Sequence, residues 1–274
     1  MVEASPGSFE ILSPAKLNLH LDVIGKREDG YHEIVGLFQT ISMFDRMWVT
    51  LTKEGIIIES NVYIENNIIE MAYSVFKKTT GKDFGVKVKL EKRIPVGAGL
   101  GGGSSNAGAF LRFLGRYFDV PEDELLSIAK NVGSDVPFFL YGGTAIVRGR
   151  GDIVEPLKAI EGYSVDVAFP DFSISTASMY DLLKEEDWKK GMGDPYELYE
   201  AFLKRDIPRI KELSYNVFQN LVFQRYPDVK EIYELLRSRD PIVAMVTGTG
   251  SSVFALFEGD IGTYRFTGGE GYGS

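Results

Sequence analysis

Residues 95–105 read PVGAGLGGGSS, and this glycine-rich stretch lies between a strand pattern and a helix pattern. Residues 86–94 alternate apolar and charged side chains, which predicts a half-buried strand, and residues 106–118 carry apolar side chains at helical spacing. Glycines let the backbone adopt positive φ and approach a ligand closely, and the free N–H groups at a helix N-terminus attract anions. The order strand, glycine loop, helix therefore predicts a phosphate-binding site.

The same stretch has a purely structural interpretation, as a flexible loop followed by a serine-capped helix. Five of the seven residues 97–103 are glycine. Ordering so many glycines costs conformational entropy, which makes them a poor choice for a loop with a purely structural role. Ser104 and Ser105 are expected to cap the helix or to donate hydroxyls to phosphate or to bound Mg²⁺. We therefore favour the functional interpretation.

Other known glycine motifs fit less well. A P-loop is excluded, because no lysine follows the glycines. Gly97, Gly99 and Gly102 satisfy the dinucleotide-binding spacing, but the acid about 20 residues further on, Asp119, directly follows the predicted helix instead of a second strand. Asp119 is better interpreted as part of a helix–helix turn. The Asp-Phe-Gly sequence at 83–85 precedes the glycine loop and has no catalytic-loop signature after it, so it does not indicate a protein kinase.

The composition is that of a globular protein, with 274 residues of which 44% are apolar and 25% charged. No apolar run approaches the roughly 20 residues of a membrane span, and residues 1–10 lack the pattern of an export signal, so we expect a cytoplasmic protein without a membrane partner. A net charge of −9 argues against a nucleic acid partner. With no cysteine and two histidines, neither disulfides nor a Cys/His metal centre is expected.

The rest of the chain predicts alternating strands and helices. Strands are expected at residues 9–24, 34–51, 165–169, 242–246 and 253–257, and helices at residues 67–78, 121–133, 176–188, 196–223 (broken near Pro208) and 229–239. A charged turn at residues 25–30, closed by Asp29-Gly30, predicts a hairpin. No low-complexity linker separates the halves, so we expect a tight boundary between domains of residues 1–155 and 156–274.

Three motifs together resemble those of the GHMP kinase superfamily. They are Pro14-Ala-Lys-Leu-Asn18, the glycine stretch, and Gly248-Thr-Gly-Ser-Ser252. The sequences AKLNL at 15–19, GYHE at 30–33 and GSDVPFF at 133–139 are similar to the members that phosphorylate the 2-hydroxyl of a cytidine diphosphate-linked methylerythritol, in the non-mevalonate route to isoprenoids. The resemblance covers most of the chain, from about residue 11 to residue 257.

The resemblance implies a two-domain α/β (α+β) GHMP kinase fold. Its N-terminal domain is expected to be ribosomal protein S5-like, its C-terminal domain ferredoxin-like α/β, and the active site is expected in the cleft between them. Such proteins continue with a helix and a final strand after the third motif, whereas residues 258–274 here are glycine-rich and lack helical periodicity. The resemblance therefore does not predict how the C-terminal domain ends.

The resemblance also implies a catalytic pair. Lys16 is expected to be a cation near the accepting hydroxyl and the transferred phosphate, and Asp135 to be the base that accepts the hydroxyl proton. The two are expected to pair, which would keep the carboxylate ionised. The residues alone also allow a solvated lysine on a strand and an aspartate that forms a turn or a cap.

The implied binding residues fall into two sets. ATP is expected to contact Asn67 (unless it is only a helix cap), Pro95, Val96, Gly97, Ala98, Gly99, Leu100, Gly101, Gly102, Gly103, Ser104 and Ser105. The alcohol substrate is expected to contact Asn18, Tyr31, His32, Thr176, Tyr180, Gly248, Gly250 and Ser251. Within this set the resemblance implies that Tyr31 stacks on the cytosine and His32 hydrogen-bonds to the base, unless they are only an exposed aromatic and a strand-edge histidine. Tyr180 is expected to form the opposite wall or to be a core tyrosine.

The implied cofactors are ATP and Mg²⁺, and the sequence leaves the metal ligands open. The partner is a small-molecule substrate, and the chain is expected to be a monomer or a weak homodimer. One alternative is a different GHMP kinase, such as homoserine or mevalonate kinase, which would have no need of Tyr31 and His32 beside the lysine motif. The other is a nucleotide-binding module that has lost catalysis, against which the presence of Lys16 and Asp135 argues.

Overall fold

The protein forms two sheets covered by helices in a computed structural model that describes residues 2–5, 7–188 and 193–269. The strands are β1 (Val2–Ser5), β2 (Ser8–Lys26), β3 (His32–Thr52), β4 (Ile56–Ser60), β5 (Gly85–Glu91), β6 (Thr144–Gly149), β7 (Ile153–Leu157), β8 (Tyr163–Ala168), β9 (Tyr215–Asn216), β10 (Val243–Val246), β11 (Val253–Glu258) and β12 (Tyr264–Arg265). The helices are α1 (Ile68–Thr80), α2 (Gly102–Phe118), α3 (Glu122–Val132), α4 (Val136–Tyr141), α5 (Thr176–Leu182), α6 (Glu185–Trp188), α7 (Pro195–Lys204), α8 (Ile207–Leu213), α9 (Gln219–Arg225) and α10 (Pro227–Arg237).

The first sheet is built on the long hairpin of β2 and β3, which the alternating pattern and the Asp29-Gly30 turn predicted. Its path runs β1-β2-β3-β5-β4, with β6 and β7 added beside β3 and β9 beside β2. The start of β3 pairs with β6, and its end pairs with β5. The hairpin register shifts at Pro14, where the missing N–H interrupts the ladder, and again near Asn18. These shifts lie beside the lysine motif.

Helices α1 to α4 pack on one side of this sheet around the phenylalanines of α2. Helix α1 begins after Asn67, whose side chain accepts from the Ile69 N–H, and it ends at Gly81 in the left-handed conformation, as the sequence predicts. Asp119 ends α2 in a helix–helix turn, which confirms that interpretation. A Cβ on Gly108 would lie 2.6 Å from that of Phe139, so this glycine lets α2 and α4 approach closely.

The second sheet is antiparallel, in the order β10-β11-β8-β12, and α10 packs on it. The predicted helix at 176–188 is two helices, α5 and α6, and the predicted segment 196–223 contains α7, α8, β9 and α9. The sequence patterns missed the short elements β4, β6, β7 and α4. The expected boundary between residues 155 and 156 falls inside β7, and the division into two domains at that point stays a prediction.

The chain end connects both sheets. Strand β12 pairs with β8, and the next residue, Phe266, forms a bridge to Ile41 of β3. The backbone of Thr267 then exchanges hydrogen bonds with Thr40 and with the Gln39 side chain. The start of the glycine-rich end is therefore bonded to the first sheet at Phe266 and Thr267, and residues 270–274 lie outside the described residues. Across the described ranges, no helix has the length and apolarity needed to cross a membrane.

Candidate active site

A cavity of about 760 Å³ lies between the two sheets and is walled by all three sequence motifs. The predicted residues that line it are Lys16, Asn18, Tyr31, His32, Asn67, Pro95, Val96, Gly97, Ala98, Gly99, Gly101, Gly102, Gly103, Ser104, Asp135, Thr176, Tyr180 and Gly248. Four predicted residues do not line it: Leu100 and Ser105 are fully buried behind the loop, Gly250 faces Ile174 and Val222, and Ser251 donates to the Phe172 carbonyl.

The glycine loop is held against the third motif. Gly97, Gly99 and Gly101 have φ of 69°, 80° and 71°, which only glycine adopts readily. The Ser252 N–H donates to the Ala98 carbonyl at 3.0 Å, and a Cβ on Gly99 would lie 2.9 Å from the Gly250 oxygen and closer still to that of Thr247. These glycines therefore allow two backbones from opposite sheets to touch.

Helix α2 points its N-terminus into the cavity. The serine cap predicted from the sequence is wrong, because α2 begins four residues earlier than expected and its N-cap is Gly101 without a side-chain hydrogen bond. Ser104 and Ser105 lie in the first helical turn. No described group accepts from the N–H of Gly102 or Ser104, and Ser105 Oγ is buried without a partner. Unpaired donors and the helix dipole make this end an anion site.

A buried ion pair lies beneath this helix end, and no sequence motif predicted it. Lys92 Nζ, which lines the cavity, forms a short contact with Asp45 and donates to Asn106 Oδ1 at 3.0 Å. The other oxygen of Asp45 accepts from the N–H groups of Arg93 and Ile94. Burial lowers the pKa of Lys92, and the charge of Asp45 opposes this effect. The sequence around Lys92 gives no indication of this pair, because Asp45 is 47 residues away along the chain.

Lys16 is buried on β2, so the interpretation as a solvated strand lysine is wrong. Its side chain is 4% exposed, its Nζ lies 5.2 Å from the centre of the Phe38 ring, and it donates to Asn18 Oδ1 at 2.7 Å. Burial lowers the pKa of Lys16, and the negative charge of Asp135 opposes that shift. The expected pairing with Asp135 is thus an effect of charge through space, since the hydrogen bond of Nζ goes to Asn18.

The side-chain amide of Asn18 has an unpaired hydrogen-bond donor. Its Oδ1 accepts from Lys16 and from the Thr247 hydroxyl at 3.2 Å, which fixes the orientation of the amide. Its Nδ2 is buried and has no protein partner, while the residue lines the cavity. An unpaired buried N–H group is costly, so this amide is set to donate to a ligand.

Asp135 lies at the N-terminus of α4, and its side chain makes no capping hydrogen bond there. The carboxylate faces the cavity, and Gly151 lies beside it, since a Cβ on this glycine would be 3.2 Å from Asp135 Oδ1. Burial together with the charge of Asp135 raises the pKa of the Tyr180 hydroxyl. Tyr180 therefore stays a neutral phenol at any ordinary pH.

Aromatic side chains line part of the cavity. The rings of His32 and Tyr180 are 5.1 Å apart, and Tyr180 packs edge-on against the core residue Phe218 at 4.8 Å. Tyr180 thus lines the cavity and also contacts the core, and its role as a wall for the cytosine stays a prediction. Burial and the charge of Lys26 lower the pKa of His32, which favours a neutral imidazole. Tyr31 is half exposed, with the Arg150 guanidinium 5.3 Å from its ring centre.

Several cavity residues were not predicted. Arg150, Asp181, Asn66, Ser134 and Thr249 line the same space, the last with its hydroxyl 3.2 Å from that of Thr176. Ser134 and Thr249 stand inside quoted motifs, so the motifs contained a signal for them. Arg150 and Asp181 belong to no motif, and only the folded chain brings them to the site.

The chain matches the family model of the GHMP kinases N terminal domain over residues 66–143 and that of the GHMP kinases C terminal over residues 198–261. Proteins called 4-diphosphocytidyl-2-C-methyl-D-erythritol kinase are similar to it along almost its whole length. That of Thermotoga maritima is 56% identical over 96% of this chain and 97% of its own, and that of Thermosipho africanus is 46% identical over 95% and 94%.

Solved structures agree with these relatives. A crystal structure of 4-(cytidine 5'-diphospho)-2C-methyl-D-erythritol kinase superposes with a TM-score of 0.81 at 33% identity, covering 96% of this chain and all of that one. A homoserine kinase from Cytophaga hutchinsonii, with a TM-score of 0.70 at 18% identity over 95% and 88% of the two chains, shares the fold. The predicted two-domain GHMP kinase fold is therefore confirmed. The chain belongs to the GHMP kinases and, within them, to the family of the 4-diphosphocytidyl-2-C-methyl-D-erythritol kinases.

Proposed function

We propose that this protein transfers the γ-phosphate of ATP to the 2-hydroxyl of 4-diphosphocytidyl-2-C-methyl-D-erythritol, in the non-mevalonate route to isoprenoid precursors. The observation that carries the proposal is that one cavity joins an anion-binding helix end, a lysine and a carboxylate, and an aromatic pocket. The names of the similar proteins support the same substrate. The protein is expected to act in the cytoplasm as a monomer or weak homodimer.

The glycine loop and the start of α2 are the proposed triphosphate site. The unpaired N–H groups of Gly102 and Ser104 fit phosphate oxygens, and Lys92, paired with Asp45, lies close to Gly102. Asn67, which lines the cavity as well as capping α1, is proposed to contact the nucleotide. When bound, Mg²⁺ would neutralise charge that develops on the transferred phosphate.

The residues present fit a phosphate-bound Mg²⁺ better than a protein-held one. The described ranges contain no cluster of three carboxylate or imidazole side chains that could hold a metal ion. Mg²⁺ commonly keeps substrate phosphates and water among its ligands. The Ser104 hydroxyl at the cavity wall is the helix-end oxygen that this chain offers to it, whereas Ser105 Oγ is buried behind the loop and does not line the cavity.

Asp135, Lys16 and Asn18 are proposed to act on the accepting hydroxyl. The free Asn18 Nδ2 holds the substrate, and Asp135 accepts the proton as the hydroxyl oxygen forms its bond to phosphorus. The bond between phosphorus and the bridging oxygen of ADP breaks in the same displacement. Lys16, whose positive charge is disfavoured by burial and favoured by the nearby charge of Asp135, is proposed to stabilise the negative charge that spreads over the phosphoryl oxygens.

Tyr31, His32 and Tyr180 are proposed to bind the cytosine. Two aromatic side chains offer faces on which a planar base can stack, and neutral His32 has one donor and one acceptor nitrogen for the base edge. Thr176 and Gly248 line the same cavity, Gly248 lies close to Lys16, and both are proposed to contact the diphosphate or the sugar. A homoserine or mevalonate substrate has no base to fill this space, which disfavours those alternatives.

The test is ADP release with each alcohol offered in turn. We expect turnover with the cytidylylated substrate only; turnover with homoserine or mevalonate instead would refute the substrate, and ATP binding without any turnover would refute the reaction. Asp135→Asn is expected to lower kcat by about 10²- to 10⁴-fold while ATP still binds. Asp171→Asn, at an exposed carboxylate outside the cavity, is the matched control and is expected to leave kcat unchanged.

A further inference from the structure

Tyr31 is an exposed side chain on a hairpin turn, and such a position normally leaves an aromatic ring free to move. The backbone of the turn is well fixed, since the Tyr31 N–H donates to Asp29 and the Arg27 N–H donates to the Tyr31 carbonyl at 2.8 Å. Tyr31 is 50% exposed, and among the described residues its ring contacts the guanidinium of Arg150. Arg150 is therefore the residue that could restrict the motion of the Tyr31 ring.

Arg150 is itself held at two other points. One guanidinium nitrogen donates to the Lys130 carbonyl at 2.8 Å, and Nε donates to the Asp152 carboxylate at 3.3 Å. Lys130 lies in the last turn of α3, where carbonyls have no helical partner and a cation is favoured by the dipole. The Arg150 guanidinium thus lies over Tyr31, and the fold already fixes the rotamer of the Arg150 side chain. Ligand binding therefore costs little further side-chain entropy at Arg150.

The turn that carries Arg150 is also tied to both functional regions. The Gly149 N–H donates to Glu33 at 3.0 Å, and Glu33 in turn pairs with Arg27 in the hairpin. On the other side, Gly151 lies against the Ser134 backbone and the Asp135 carboxylate. The β6–β7 turn therefore connects the ring of Tyr31 to the segment of Asp135.

We propose that Arg150 is the positioning residue for the cytidine end of the substrate, because it occupies one face of the Tyr31 ring and leaves the opposite face fixed for a nucleobase. This inference rests on the proposed function, since it concerns the same substrate. A lysine cannot replace the arginine fully, because one ammonium cannot lie flat over the ring and also reach both acceptors.

The kinetic test uses Arg150→Gln, with Arg150→Lys as the conservative variant. Arg150→Gln is expected to raise the KM for the cytidylylated substrate about fivefold to tenfold, the size of a cation–π contact, with the KM for ATP and kcat unchanged. Arg150→Lys is expected to recover part of this loss. In a Tyr31→Leu background, Arg150→Gln is expected to add less than about twofold, because the ring it holds is gone.

Arg148, two residues earlier and near the end of β6, offers a matched control. Its guanidinium lies 5.9 Å from the Tyr196 ring and pairs with Glu155 at 3.0 Å, but it does not line the cavity. Arg148→Gln removes a similar set of contacts and is expected to leave the KM for both substrates unchanged. An equal KM rise in Arg148→Gln, or an undiminished effect of Arg150→Gln in the Tyr31→Leu background, would overturn the proposal.

A second measurement needs no substrate. In protein with ¹³C-labelled tyrosine, relaxation of the Tyr31 ring, assigned by its absence from Tyr31→Leu, is expected to show a more mobile ring in Arg150→Gln than in the wild type. Unchanged ring order overturns the role of Arg150 even if the wild type never phosphorylates the cytidylylated alcohol. Failure of the wild-type turnover with increased ring mobility in the variant refutes the proposed function alone.

Discussion

Gly99 lies where the glycine loop packs against the third motif, so Gly99→Ala tests whether this contact between the two loops is needed for stability and activity. The added Cβ would lie 2.9 Å from the Gly250 oxygen and nearer to that of Thr247, and neither is a flexible side chain that can rotate away. A φ of 80° adds the cost of a left-handed alanine, about 1–2 kcal/mol, and overpacking of two backbones adds about 1–3 kcal/mol.

The expected destabilisation by Gly99→Ala is therefore about 2–5 kcal/mol, which corresponds to a fall in Tm of roughly 3–9 °C for a chain of this size. Because the loop must also move away from the third motif, kcat/KM for ATP is expected to fall about 10- to 100-fold. Differential scanning calorimetry and steady-state kinetics measure the two effects.

Gly103→Ala is the matched control for stability. Gly103 lies in the first turn of α2, its φ is not positive, and the nearest atom to an added Cβ is a methyl of Ile68 at 3.7 Å. Alanine is a better helix former than glycine, so this variant is expected to be as stable as the wild type or up to about 1 kcal/mol more stable. A Gly99→Ala protein as stable as Gly103→Ala would refute the contact between the loops.

Three other predictions concern buried polar groups. Burial lowers the pKa of His20, so below about pH 6.5 the unfolded chain binds a proton at His20 more readily than the folded chain does. The contribution of His20 to the free energy of unfolding is therefore fully present above that pH and decreases as the pH drops. His20→Gln is expected to make Tm depend less on pH between about pH 7.5 and 5.5. Asp45→Ala leaves the buried Lys92 without its counter-charge and should cost about 3–5 kcal/mol in denaturant unfolding. Asn216→Ala removes the hydrogen bonds that the side-chain amide donates to two carbonyls, one of them that of Gly248 at 2.8 Å. This variant is expected to lower the free energy of unfolding by about 1–3 kcal/mol and to raise the KM for the alcohol substrate.

Each of these predictions has an outcome that contradicts it. An identical loss of Tm on acidification in wild type and His20→Gln would mean that other groups carry the pH dependence. A loss below about 1 kcal/mol for Asp45→Ala would mean that water reaches Lys92. For Asn216→Ala, a change in stability without any change in KM would separate the third motif from substrate binding.

Local signals predicted those parts of the fold whose determinants lie within a few residues of each other. Helix α1 was found with its cap at Asn67 and its end at Gly81, and the β2–β3 hairpin with its turn at Asp29-Gly30. Turns and caps are decided by backbone conformation and near-neighbour hydrogen bonds, which the sequence displays directly. The serine cap of α2 failed because glycine in the left-handed conformation began the helix earlier.

The sequence alone determined which residue types are present for chemistry, namely a glycine loop, Lys16, Asp135 and several aromatic side chains, and the resemblance connected them to a kinase. The tertiary structure alone decided what supports them, namely the Lys92–Asp45 pair, the Asn18–Thr247 contact between the sheets, and Arg150 over Tyr31. The physical reason is sequence separation. Asn18 and Thr247 are 229 residues apart, and no local pattern records a pairing that only the packing of two sheets creates.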